Sequence, residues 1–382
     1  MSTEVVVAPE LVPGTPVSSE AEERVSVATQ WQLVWWRFRK HKLAIVSAGV
    51  LIIFYFVVAS ADFLAYADPI ASEAQRGLIP PQSIHLSSEG LWVEALVGTR
   101  DPQTFKRVYV ADPSQPVPVQ FFVHGFPYKL LGFIPLDVHL LGVDGEGKTP
   151  ENSLFLLGTD VQGRDLWSRL MYGTQVSLLI GLTSVTLSLF LGVLLGGLAG
   201  YFGGLVDTLV MRLVEILRSI PTIPLWMGVA AALPREWDIV RVFFVMTIIF
   251  ALVQWTELAR VVRGRFLSLR EEDFVMAAEL AGCGRMRIIF RHMVPSFLSH
   301  IIAATTLALP SIIIFETSLS FLGLGLRPPA ISWGVMLQQA SNVQTLAISP
   351  WLLLPAVPVI VAILAFNFLG DGLRDAADPY GV

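Results

Sequence analysis

The stretch Arg263–Pro295, RGRFLSLREEDFVMAAELAGCGRMRIIFRHMVP, decides how the rest of the chain is read. It is a polar island between two long apolar runs. From Glu257 to His292 it carries seven arginines: Arg260, Arg263, Arg265, Arg270, Arg285, Arg287 and Arg291. Within it Phe274, Ala277, Ala278 and Ala281 recur at i, i+3, i+4 and i+7, the spacing of one helical face. Arg270, Glu271, Glu272, Asp273 and Glu279 occupy much of the remaining surface. Gly282 and Gly284 then supply a stop, because glycine takes cap geometry at little cost. The spacing predicts a short amphipathic helix over 266–282, tethered at both ends to apolar segments. Such a helix suits insertion into a partner's groove. A helix lying in a lipid interface has the same spacing and is the competing reading.

Composition points to the membrane independently. Hydrophobic residues make up 54% of the chain and charged residues 15%, against about a quarter charged in soluble proteins. The one cysteine, Cys283, excludes an internal disulfide and reads as a small packing residue beside two glycines.

Uncharged runs locate the spans. Leu43 to Ala61 is 19 residues, close to the roughly 20 needed to cross the hydrocarbon core. Thr174 to Val206 has no Asp, Glu, Lys or Arg, with glycine turns expected at Gly196-Gly197 and Gly203-Gly204. Leu213 to Leu233 is a weaker span, carrying Glu215 and Arg218 and interrupted by Pro221 and Pro224. Val242 to Thr256 is short and extends by snorkelling of Arg241 and Arg260. Met293 to Phe315 and Trp351 to Leu369 complete six spans. Arg37, Arg39, Lys40 and Lys42 crowd the entry to the first span, whereas Thr317 to Pro350 holds one basic residue, Arg327. The positive-inside rule therefore puts both termini and the 257–292 island in the cytoplasm. Residues 1–30 lack a basic start and an apolar run, so no signal peptide is read there and a disordered cytoplasmic tail is expected.

Between the first two spans, Leu64 to Phe155 carries ten acidic and six basic residues. It contains β-like runs at Arg107–Val110 and Val117–Val123, with Gly125, Pro127, Gly132 and Pro135 as expected turns. A small strand-containing external unit follows. Gly142 with Gly147-Lys148-Thr149 formally matches a P-loop. Pro150 follows at once, no buried strand precedes it, and the topology sets it away from cytoplasmic ATP, so ATP is assigned to another chain. Next to this unit, Leu156-Leu157-Gly158-Thr159-Asp160 and Gly163-Arg164-Asp165 are dense in turn and cap chemistry. Asp160 is expected to cap, and Asp165 to bridge Arg164 or Arg169. With no His or Cys beside the carboxylates, a structural knot is favoured over catalysis.

Ala277-Ala278, three residues, Gly282, then Val294-Pro295 resembles the EAA loop of ATP-binding-cassette importer permeases. Met276 stands where that motif has its leading Glu, so no salt bridge is implied from that position. The Leu156–Asp165 stretch resembles the LLGTDxxGRD signature of the dipeptide/oligopeptide branch of these permeases. Further matches are Gly200–Gly204, Ser318–Gly325, Trp333–Leu337 and Gly370–Asp375, with Trp36–Arg39, Lys42–Ala44 and Tyr66–Pro69 near the start.

The resemblance implies an all-α polytopic membrane protein with six transmembrane helices and a small strand-containing extracytoplasmic insert. Its implied divisions are a 1–30 tail, 31–69 with the first span, a 70–153 insert, and a 154–380 core containing the 263–295 coupling loop. It implies that Arg270, Glu272, Asp273, Phe274, Met276, Ala277, Ala278, Glu279, Ala281 and Gly282 form the contact with an ATPase. Gly158, Thr159, Asp160, Gly163, Arg164 and Asp165 are implied as structural motif residues. It implies no cofactor on this chain, with ATP and Mg on the ATPase. The implied partners are a second related permease, two cytoplasmic ATPases, an extracytoplasmic solute-binding protein and membrane lipid, with no nucleic acid. Peptide is the expected cargo, with oligosaccharide, nickel or another small solute as alternatives, and export as a further one.

The residues themselves argue the same energetics. No chain of intramembrane carboxylates is read in the strong spans, as an ion-coupled carrier needs, and no inverted repeat is evident. Energy then comes from outside the chain, transmitted through the 266–282 helix. Glu215–Arg218 reads as a structural or gating pair. No selectivity filter marks a channel, and His41, His85, His124, His139, His292 and His300 are too scattered for an enzyme.

Overall fold

A computed structural model describes residues 30–87, 90–100, 102, 107–143, 153–234 and 236–377. The 1–29 tail and the Gly147-Lys148-Thr149 pattern lie outside them.

Helix α1 (Gln30–Phe38) leads into the first span, α2 (Lys42–Leu64). His41 caps α2, its Nδ1 accepting from the Ala44 N–H at 3.2 Å. Then come α3 (Leu166–Phe202), α4 (Gly204–Ser219), α5 (Thr222–Ala232), α6 (Ile239–Leu269) and α7 (Asp273–Leu280). A π-helical turn at Ile288–Met293 carries the chain into α8 (Leu298–Phe321). Three helices close the chain: α9 (Trp333–Gln338), α10 (Val343–Ile348) and α11 (Ala356–Ala377). Among the described residues, five helices are long and apolar enough to cross a membrane, or six if α4 and α5 count as one bent span.

That bent pair is the weaker third span, and the interruption read at its prolines is a sharp break. α4 and α5 meet at 82°, with Pro221 at the N-cap of α5. Proline has no N–H to donate and its ring obstructs the preceding turn, so the helix breaks there. The expected turn at Gly196-Gly197 is absent as well. α3 runs through it and stops only at Gly203 and Gly204, whose φ values are +64° and +52°. Gly192, Gly196 and Gly200, four residues apart, instead let α6 approach. A Cβ on Gly196 would lie 2.5 Å from the Ala259 carbonyl oxygen, and one on Gly200 2.5 Å from Phe266 Cβ. Small residues at this spacing are how membrane helices gain close van der Waals packing.

α2 packs between α3 and α11, and α8 lies along α11. Their common core gathers Ile180, Trp226, Phe250, Ile312, Trp333 and Ala362. α8 also holds a buried carboxylate, Glu316, just past the residue where the fifth span was expected to end. Ser177 donates to its Oε2 at 3.2 Å and Ser320 to its Oε1 at 2.9 Å. Ser177 Oγ also accepts the Trp333 N–H at 3.1 Å, so the carboxylate ties α3, α8 and α9 together.

The insert is a four-stranded antiparallel meander, β1 (Ile84–Ser87), β2 (Gly90–Arg100), β3 (Arg107–Leu130) and β4 (Ile134–Gly142). The two expected β-runs are one 24-residue strand, β3. Its first half pairs with β2 (Arg107↔Arg100 to Val119↔Leu91) and its second with β4 (Gln120↔Gly142 to Leu130↔Ile134). Each half is therefore an edge on one side, which accommodates Pro116 and Pro118 without a lost ladder bond. Gly125 and Pro127 fall in a bulge of β3, and Pro135 lies within β4, so only Gly132 of the four expected turn residues sits at a turn.

Candidate functional site

The polar island folds differently from the expected 266–282 helix. Phe266 to Leu269 are the end of α6, where Phe266 is fully buried. The chain then turns at Arg270–Glu272 and forms the eight-residue α7. The stop is a Schellman cap: the Cys283 N–H donates to the Ala278 carbonyl at 3.1 Å and the Gly282 N–H to Glu279 at 2.9 Å. Gly282 takes φ +74°, and a Cβ there would meet open space. The need for glycine is thus conformational rather than steric.

The predicted small-residue face is divided by this packing. Val275 and Ala278 are buried against Val262, Phe266, Ile288 and Met293, with Cys283 packed alongside. Phe274, Met276, Ala277, Leu280 and Ala281 are exposed, Leu280 at 90%. Ala278 is therefore an anchor to this chain's own core and does not share the outward face with Phe274, Ala277 and Ala281. Arg270, Glu272 and Asp273 are exposed at the start of α7. Glu279 accepts from the Tyr201 hydroxyl at 2.7 Å, tying α7 to the end of α3. Leu280, whose exposure no i, i+3, i+4 count singled out, is signalled only by being apolar on the opposite side.

Two ion pairs hold α4 against α6. Arg263 Nη2 donates to Asp207 Oδ2 at 2.6 Å, and Arg218 pairs with Glu257. Glu215 pairs instead with Arg212, at 2.9 Å. The expected Glu215–Arg218 pair is absent because Arg218, one turn before the Pro221 break, is turned toward α6.

The second candidate cluster is built around Gly158–Asp165, and the two carboxylates exchange the roles expected of them. Asp165 is the N-cap of α3, accepting the Ser168 N–H at 2.7 Å. Asp160 bridges the arginines, with Arg164 Nε at 2.7 Å and Arg169 Nε at 3.5 Å. Tyr66 donates to Asp165 Oδ1 at 2.8 Å, and Gln339 donates to Asp160 Oδ2 at 3.1 Å. Thr159 Oγ1 donates to the Arg76 carbonyl at 2.6 Å and accepts the Ile79 N–H at 2.8 Å. The Trp351 indole donates to the Thr159 carbonyl at 3.0 Å. Gly158 and Gly163 take φ +78° and +75°, and a Cβ on Gly163 would stand 2.0 Å from the Glu73 carbonyl oxygen. Burial pushes the Asp165 carboxyl up to about 6, against the opposing pull of the Ser168 and Tyr66 hydrogen bonds. Burial beside this carboxylate also raises the Tyr66 phenol well above its ordinary value. Both carboxylates, Tyr66 and Thr159 are engaged with the protein, and Arg169 Nη2 alone among the buried atoms of its guanidinium lacks a hydrogen-bond partner. The cluster joins the N-terminal, central and C-terminal thirds of the chain. It is a brace.

Residues 192–380 match the family described as binding-protein-dependent transport system inner membrane component. Residues 29–81 match the N-terminal TM domain of oligopeptide transport permease C. The chain is 40% identical over 223 residues to an oligopeptide transport system permease protein of Haemophilus influenzae, covering 58% of this chain and 69% of that protein. It is 41% identical over 223 residues to the protein of the same name in Escherichia coli K12, covering 58% and 71%.

Proposed function

This chain belongs to the binding-protein-dependent family of inner-membrane transport components, and we propose that the importer it serves carries peptides into the cell. It is a multi-pass permease subunit of an ATP-binding-cassette importer and works with an ATPase and a substrate-binding protein. The peptide reading is supported by the names of the relatives in Haemophilus influenzae and Escherichia coli.

The mechanism rests on one observation: α7 buries Val275 and Ala278 in its own chain yet leaves five apolar side chains outward on eight residues and its flank. Exposed apolar surface of that density is the mark of a contact site. In this reading α7 seats in a groove of the ATPase, where small Ala277 and Ala281 permit close approach and Phe274, Met276 and Leu280 fill pockets. ATP and Mg are held by that subunit, and this chain performs no catalysis. Closure of two ATPases moves α7, and the Tyr201–Glu279 bond and the Gly192–Gly196–Gly200 packing carry the displacement into α3 and α6 as a rigid unit. A second related permease supplies the other half of the pathway.

Both termini and α7 are cytoplasmic in this reading, and the β1–β4 insert is external. A membrane-impermeant thiol reagent added from outside should label Ser114→Cys and not Ser268→Cys in a Cys283→Ser background. The opposite pattern overturns the orientation. For cargo, proteoliposomes holding the chain with its second permease, ATPase and binding protein should take up labelled tri- and tetrapeptides on ATP addition. ATP-driven uptake of an oligosaccharide or nickel without peptide uptake overturns the peptide reading.

A further inference from the structure

The β3–β4 hairpin carries an apolar surface that neither the coupling loop nor the brace uses. Phe121 and Phe122 are exposed at the end of the hairpin where Phe121 pairs with Leu141, Phe122 at 64%, and Leu131, Phe133, Ile134 and Leu136 are exposed at or near its tip, Phe133 at 71%. The turn at its tip is Leu131-Gly132-Phe133, closed by the Gly132 N–H donating to the Lys129 carbonyl at 2.9 Å. Tips of hairpins in water favour Gly, Asn, Asp and Ser. Here Leu131 sits at φ +53° and Phe122 at +59°, a left-handed conformation that costs a bulky side chain more than it costs glycine. A sequence that keeps apolar residues at these positions gains contact elsewhere.

What that contact is follows from where the hairpin is fastened. His139 of β4 bonds through Nδ1 to the Asp62 carbonyl at 3.1 Å, and the Phe122 ring lies 6.2 Å from that of Phe63. Both partners are in the last turn of α2. Ile52 and Phe56 stand at i and i+4 on α2, 71% and 63% exposed, and Phe63 follows beyond the non-helical Ser60 (φ −119°, ψ 18°). α2 is the least buried of the five candidate spans, with Ile52 and Phe56 on its exposed side. Phe122 stands beside Phe63 at the end of the helix.

We propose that the β3–β4 hairpin is a lipid anchor that lies along the headgroup and acyl boundary, its Phe121–Phe122 end beside the C-terminal end of α2 and its Leu131–Phe133 tip farther out along the surface. Aromatic side chains with wet neighbours are suited to that zone, and His124, Lys129 and Asp137 supply the polar edge. The anchor fixes the insert at one height and rotation over the bilayer, independently of what the importer carries.

The test is spin-label accessibility in the assembled importer in phospholipid nanodiscs. Phe133→Cys and Leu131→Cys, each in a Cys283→Ser background, are compared with Ser114→Cys on the β2-paired half of β3. Both hairpin labels should collide with oxygen severalfold more, and with a water-soluble nickel chelate severalfold less, than the Ser114→Cys label. Nickel access equal to that control places the hairpin in water and overturns the proposal. Exclusion of both relaxers with an immobilised spectrum means that a protein partner covers the hairpin, and overturns it equally. Nanodiscs expose both faces of the bilayer, so none of these outcomes depends on the orientation or cargo proposed above.

Discussion

The Tyr201 hydroxyl, on the penultimate residue of α3, donates to Glu279 Oε1 on α7 at 2.7 Å. It links a span to the eight-residue helix that follows α6. Hydrogen bonds to charged groups contribute about 1.5–3 kcal/mol when buried. This one is half in water, so its contribution falls at or below the lower limit. Tyr201→Phe should therefore raise amide exchange in 273–283 by about tenfold, with membrane insertion unchanged. Unchanged exchange would show that α7 is held by Val275 and Ala278 alone.

Ala278 and Ala277 separate folding from docking. Ala278 faces Val275, Ile288 and Met293 inside the chain, and enlarging a packed residue costs about 1–3 kcal/mol. Ala278→Trp should lower the melting temperature of the purified chain. Ala277→Trp, on the exposed side, should leave melting unchanged. Equal melting shifts for the two variants would mean that both face the same surface.

The brace predicts a severe glycine effect at one position. Gly163 combines φ +75° with a Cβ site 2.0 Å from the Glu73 carbonyl oxygen. Left-handed strain alone costs on the order of 1–3 kcal/mol, and the clash adds backbone displacement. Gly163→Ala should reduce the yield of folded chain and expose 155–169 to protease, whereas Gly132→Ala, with open space around it, should do so less. Normal protease resistance of Gly163→Ala would contradict the brace.

Asp165 gives the brace a pH dependence of defined sign. Its carboxyl is raised to about 6 in the folded chain, from about 4 when unfolded. The native state therefore holds the proton more tightly than the unfolded one. The stabilisation is complete below pH about 4 and is lost as pH rises through about 6. Amides of 158–168 should be better protected at pH 5 than at pH 7 after correction for intrinsic exchange, and Asp165→Asn should flatten that difference. Greater protection at pH 7 in the native protein would reverse the assignment.

Arg218 and Glu257 tie the break in the α4–α5 span to α6, the helix that continues toward α7. Both side chains are more than a third exposed, where such pairs contribute about 0–1 kcal/mol, so reversal of either charge should slow uptake only a few-fold. The double exchange Arg218→Glu with Glu257→Arg should recover it. Failure of the exchange to recover uptake would mean that the two residues act separately.

Much of this architecture was legible in the chain because lipid imposes long uncharged runs, and five of the six expected spans are the helices observed. The sixth was legible as a break, since Pro221 and Pro224 stood inside it, but not its 82° bend, because proline interrupts a helix without fixing the angle between its halves. Gly196-Gly197 misled as a turn because glycine serves both turns and close helix contact, and only the facing Ala259 decides between them. Likewise the i, i+3, i+4, i+7 count over Phe274–Ala281 gave a helix but not which side faced inward. Ile288 and Met293 bury Val275 and Ala278 from a later turn of chain. Asp160 and Asp165 read as a knot from the sequence, yet their roles rest on Tyr66 and Gln339, distant in sequence.

The central claim is that the outward face of α7 docks on the ATPase, and its most direct measurement is capture of that subunit by variants of one exposed residue. Leu280 is 90% exposed on α7 and touches nothing that folds the chain. Leu280→Asp places a charge where an apolar pocket is proposed. Its ATPase capture should fall at least about tenfold, corresponding to about 1.4 kcal/mol, while Met276→Ala stays within a few-fold and both insert normally. Undiminished capture and normal ATP-driven uptake with Leu280→Asp would contradict the account.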